Sequence, residues 1–127
     1  MAEGVLREDC CRPIMEKSEL KARVAQVIED NRDRIIDLGQ QIYDNPEFGY
    51  KEEFATQIVS KYLEDLGLEV EKNIAVTGCR AHFTGEKSDS DSPRLAVMGE
   101  LDAILTREHP DADPETGAVH ACGHNIQ

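Results

Sequence analysis

Leu95-Ala96-Val97-Met98 is a run of four apolar side chains with no polar residue between them. Successive side chains of a strand point to opposite faces, so such a run needs cover on both sides. It predicts a strand over Leu95–Leu101, inside a sheet and beside a parallel neighbour. The run ends in Gly99-Glu100-Leu101-Asp102. Asp102 then stands at the carboxyl end of a buried strand, where open α/β sheets place their sites.

The rest of the chain supplies helices to cover such a sheet. Leu20, Val24, Val27, Ile28, Ile35, Leu38 and Ile42 recur at spacings of three, four and seven, which predicts one long amphipathic helix. Ser18 is its expected N-cap. Asn45-Pro46 is its expected end, because proline disfavours the helical conformation of the residue before it. Gly39 within it marks either close packing or a weak point. Phe54, Ala55, Ile58, Val59, Tyr62, Leu63 and Leu66 predict a second helix over Lys51–Leu66, with Gly67 as a left-handed cap. The period then changes to two over Leu68–Lys72 and again over Cys79–Phe83, the alternation of half-exposed strands. Gly85–Ser92 reads as a polar connection. Residues 103–119, with Pro110 and Pro114, read as loop. Residues 1–17 read as a flexible arm, and 18–127 as one structural body. The expected fold class is α/β: two helices, then three strands, as an incomplete α/β/α sandwich with a mixed sheet.

Charge narrows the function classes. The 127 residues hold 26 Asp and Glu against 14 Lys and Arg, a net charge of −12. A basic footprint for displacing counterions from nucleic acid is missing, as is one for docking on an anionic membrane. The apolar content is 39% with no Trp, lean but clustered enough for a core. No apolar run approaches a membrane span, and the N-terminus lacks the layout of a signal peptide. Cys10, Cys11, Cys79 and Cys122 form no disulfide framework, so a cytoplasmic location is expected.

The densest chemistry is His120-Ala121-Cys122-Gly123-His124-Asn125. In extended backbone, residues two apart point the same way, so Cys122 and His124 could meet one cation. The rival reading is a packed cysteine beside a surface histidine. His120 and His124 stand four apart, but Gly123 argues against a helix there. Glu100 and Asp102 also read as solvated strand ends, and Asp111–Glu115 as a solvated loop. His82 and His109 read as ordinary strand and loop residues.

NPEFGYKEE, LAVMGELDAI and HPDADPETGAVHACGHN follow one another in this order. Together they resemble the metal-dependent metallopeptidase and amidohydrolase family of aminoacylases, hippurate hydrolases and aminobenzoyl-glutamate hydrolases. The resemblance runs from about Ser18 to Gln127. It implies a catalytic α/β domain interrupted by a lid or dimerisation domain. It also implies cleavage of amide bonds in N-acyl amino acids or small peptides, with one or two divalent cations, zinc or manganese. In the family's amidohydrolase branch, the Cys and second His of HACGH are metal ligands, which implies Cys122 and His124 here. Asp102 matches the Asp that supports the metal site. Glu100 stands where the peptidase branch has a ligand His, and Asn125 resembles the aminobenzoyl-glutamate subgroup.

The family's paired glutamates, later ligand histidines and lid have no counterpart in this sequence. The expectation is therefore the N-terminal portion of such an enzyme, inactive alone. Its buried-type strand would be left as an exposed apolar edge, inviting a homodimer or swapped assembly. Two other readings compete: a non-catalytic interaction or folding module, and a metal-binding or thiol protein in its own right.

Overall fold

The computed structural model describes residues 15–86 and 88–127. The expected arm of residues 1–17 falls almost wholly outside them, as do Cys10 and Cys11. Contacts divide the chain into two units, Met1–Arg32 and Asp33–Gln127.

The long apolar stripe is realised as two helices. Helix α1 spans Lys17–Asp30 and α2 spans Arg32–Asp44. The break is at Asn31, whose side-chain amide donates to the Val27 carbonyl at 2.8 Å. A short polar side chain that competes for helical carbonyls favours such an ending over continuation. Ser18 is not the cap of α1. It lies in the first turn, and Glu16 holds the cap position without a side-chain bond.

In the second unit, α3 spans Glu53–Asp65 and ends as predicted. Gly67 takes a left-handed φ of +81°. The Leu68 N–H then reaches the Leu63 carbonyl at 3.2 Å, and the Gly67 N–H reaches that of Glu64 at 2.9 Å. This is the paired closure that a glycine past a helix end permits. The N-terminus of α3 is capped from a distance. Both carboxylate oxygens of Glu47 accept backbone N–H groups, from Phe54 and from Ala55, each at 3.0 Å. The NPEFGYKEE segment is thus an anchor for α3.

Strands β1 (Val70–Ile74) and β2 (Gly78–Ala81) form an antiparallel hairpin with α3 packed against it. They coincide closely with the two alternating stretches read from the sequence. At the turn, a Cβ on Gly78 would lie 2.7 Å from the Ile74 carbonyl oxygen, so glycine is required there. A second antiparallel pair joins β3 (Ile104–Leu105) to β4 (Ala118–Val119). These two short strands lie where loop was expected. The Asp113 carboxylate organises the connection between them. It accepts from the backbone N–H of Thr116 at 2.6 Å and of Glu115 at 3.1 Å, and from the Thr116 hydroxyl at 2.7 Å. These bonds, Thr116 foremost, hold its carboxyl below the ordinary range.

The class is mixed α and β, with three α-helices and two small antiparallel sheets among the described residues. The expected central strand is corrected. Residues 93–102 run without turn, bend or ladder pairing, and no backbone–backbone hydrogen bond among the described residues involves them. The expected parallel neighbour shrinks to one bridge, Phe48 with Ala103, where the Ala103 N–H donates to the Glu47 carbonyl at 2.7 Å. Apolarity alone makes no strand; a ladder needs a partner backbone, and none among the described residues reaches this segment. The buried residues among those described lie instead at Ile42, Ala55, Ser60, Ala103 and Gly117–His120.

Candidate metal centre

The end of the 93–102 segment meets the C-terminal turn. Gly123 has a φ of +87° and precedes a single 3₁₀ turn, His124–Ile126. Asn125 sits against α2 at Gly39, where a Cβ would come within 3.3 Å of the Asn125 carbonyl oxygen. Gly39 is therefore a position of close packing. This turn aims the His124 ring at the end of the extended segment.

The ring is held at both nitrogens. Nδ1–H donates to Asp102 Oδ1 at 2.8 Å, and Nε2 lies 2.9 Å from Glu100 Oε2. Asp102 and Glu100 are two apart in extended backbone, so both carboxylates fall on one face. The hydrogen bond to Asp102, helped by the negative charge of Asp102 and Glu100, holds the His124 pKa above the ordinary imidazole value. The sequence offered Glu100 as a solvated strand end or a branch marker; its spacing from Asp102 is the signal that places it at the ring.

His120 is the residue whose environment the sequence did not announce. It is 4% exposed, and neither ring nitrogen has a hydrogen-bond partner among the described residues. Burial lowers its pKa, and the neighbouring His124 lowers it further, against weaker pulls from Asp102 and the Ile42 backbone. It follows directly on the fully buried pair Ala118-Val119, which is the local reason it is drawn inside.

Cys122 lies on the exposed side of the bend that precedes His124. The backbone there is bent, so the extended geometry expected to align Cys122 with His124 is replaced by a left-handed turn. Among the described residues, no group of three or more His, Cys, Asp or Glu side chains is arranged to hold a metal ion. Asp102 on Nδ1 is nonetheless the arrangement that orients a ligand imidazole and raises its basicity. These residues thus fit an oriented donor of a metal site, and not a complete ligand set. Beside it, a cleft of about 360 Å³ is lined by Gly49, Tyr50, Thr56, Thr77 and Asp102.

Comparison with known proteins gives this site its context. Thermostable carboxypeptidase 2 of Saccharolobus solfataricus is 29% identical over 111 residues, covering 84% of this chain and 28% of that protein. IAA-amino acid hydrolase ILR1-like 5 of Arabidopsis thaliana is 29% identical over 100 residues, 76% of this chain and 22% of its own length. N-acetyl-L-cysteine deacetylase of Bacillus subtilis is 28% identical over 96 residues, 73% and 22% of the two chains. By their names these relatives are a carboxypeptidase, an amino acid hydrolase and a deacetylase, and each is what this chain is similar to. The chain spans about a quarter of the length of the curated relatives it matches. No family model matches it, and no solved structure matches it significantly.

Proposed function

We propose that this chain carries one part of a metal-dependent amide hydrolase acting on N-acyl amino acids or small peptides. The observation that carries the reading is the His124 ring, oriented by Asp102 within the string that resembles the family's metal motif. The relatives' names support the bond class, since they include IAA-amino acid hydrolases and an N-acetyl-L-cysteine deacetylase. His124 Nε2 and the Cys122 thiolate are the proposed donors to zinc or manganese, one or two ions in all. Asp102 keeps the proton on Nδ1 and so leaves Nε2 as the donor atom. Glu100 is the group that must release Nε2 for this to happen. The cation, when bound, supplies Lewis acidity toward the amide carbonyl and lowers the pKa of water. A catalytic zinc normally has three protein ligands. The described residues offer two of the proposed type, so the chain is expected to be inactive by itself.

No helix among the described residues is long and apolar enough to cross a membrane. The free thiols of Cys79 and Cys122 suit the cytosol, our proposed location. A second reading, a non-catalytic interaction module, is favoured by the unpaired 93–102 segment.

Metal content per chain tests the first reading. Purified protein loaded with zinc or manganese should retain the ion, and Cys122→Ser and His124→Ala should each lower retention at least tenfold. Retention that neither substitution changes would overturn the assignment of these donors.

A further inference from the structure

Two carboxylates meet the His124 ring, and they are not equivalent. Asp102 Oδ1 lies 2.8 Å from Nδ1, and the Asp102 carbonyl oxygen lies 3.2 Å from the same nitrogen. Its side chain is 35% exposed. Glu100 Oε2 lies 2.9 Å from Nε2, yet the Glu100 side chain is 65% exposed, against 20% for His124. Asp102 thus presents two oxygens to one nitrogen from a short, half-covered side chain. Glu100 reaches the other nitrogen through a side chain one methylene longer and well solvated. Such an ion pair is a weak tie, because water competes for its exposed partner.

The two nitrogens also differ in what they can offer. An ionised carboxylate only accepts hydrogen bonds, so Glu100 holds Nε2 through an N–H. A cation is held by the lone pair of a ring nitrogen that carries no hydrogen. The Glu100 contact and coordination at Nε2 therefore exclude each other. The Asp102 contact and coordination do not, since Asp102 acts at the opposite nitrogen.

We propose that Glu100 and the cation compete for His124 Nε2, so that Glu100 weakens the metal affinity that Asp102 strengthens. The inference rests on His124 being a cation donor, as proposed. Binding exchanges one partner of Nε2 for another. The Nε2–H contact with Oε2 breaks, the proton passes to solvent, and the nitrogen–cation bond forms. The two carboxylates stand on one face of one extended segment, yet they act on the same ring in opposite senses.

Zinc affinity of the 127-residue chain tests this, measured by competition with a chromogenic chelator. Glu100→Gln and Glu100→Ala should each tighten zinc binding about fivefold, the worth of releasing one partly exposed ion pair. Asp102→Asn should loosen it about tenfold or more. Opposite signs are what a general loss of negative charge or of structure would not give. Weaker binding in Glu100→Ala would make Glu100 a donor and overturn the proposal, as would unchanged affinity in both Glu100 variants. His124→Ala separates this from the wider reading. If it leaves zinc affinity unchanged, His124 is not a donor and both fall. If it weakens binding while the Glu100 variants do not tighten it, the competition alone is wrong. Circular dichroism of each variant, matched to the parent, excludes unfolding as the cause of any change.

Discussion

Residues 93–102 and 103–120 are adjacent in the chain and differ in opposite senses. The first stretch is the more apolar, yet Leu95, Val97 and Met98 lie almost wholly in solvent. The second holds two prolines and an acidic run, yet Ala103, Ala118, Val119 and His120 are among the most buried residues described. The difference lies in partners. Ala103 is bonded to Glu47, β3 is paired with β4, and Asp113 ties the intervening turn. Among the described residues, the apolar segment has no such backbone neighbour. Burial follows the satisfaction of backbone groups as much as side-chain hydrophobicity.

The largest effect expected from breaking this comparison comes from placing a charge at each stretch. Val119→Asp buries an unpaired carboxylate and should cost about 4 kcal/mol or more. Val97→Asp, measured at concentrations where the chain is monomeric, should stay within about 0.5 kcal/mol of the parent. Urea unfolding of both variants decides it; comparable losses would mean that Val97 is packed in the monomer. Next come the glycines. Gly117 has a φ of +77°, and a Cβ there would lie 2.6 Å from Arg107 Cγ, whereas one on Gly99 would meet only ordinary contact at 3.5 Å. Gly117→Ala should therefore cost about 2 kcal/mol and Gly99→Ala close to nothing, read from thermal melts. Glu47→Ala removes the cap of α3 and should cost about 1 kcal/mol, with faster amide exchange at Phe54 and Ala55.

The smallest effect sharpens the contrast within the site. His124 is paired and titrates above 6.5, while His120 is buried and titrates below it. The raised value of His124 contributes stability that is fully present below pH 6.5 and is lost as pH rises through its folded pKa. The depressed value of His120 works oppositely: its contribution is present above pH 6.5 and is lost as pH falls through its folded pKa. Proton NMR titration should show the two rings on either side of 6.5. Asp102→Asn should bring His124 down toward that value. An unmoved His124 would mean that Asp102 does not hold the ring.

The legibility of the fold varied with how local its causes are. The α3 helix, its Gly67 cap and the β1–β2 hairpin were readable because period and cap chemistry act within a few residues. The break at Asn31 was hidden because the apolar stripe continues across it. At the site, the pairing of Asp102 with His124 was foreshadowed by the motif resemblance, while the pairing of Glu100 with Nε2 was not. His120 was masked by its own polar side chain, although Ala118, Val119 and Ala121 flank it.

The sequence by itself determined the family resemblance, the amphipathic helices and the concentration of chemistry between Glu100 and His124. These rest on residue type and short-range order. Tertiary structure alone decided that the apolar segment stays unpaired among the described residues, that the proline-rich stretch supplies a strand pair with β4 buried, and that His120 is enclosed. Those outcomes depend on which distant backbone, such as Glu47 against Ala103, arrives to complete the hydrogen bonds.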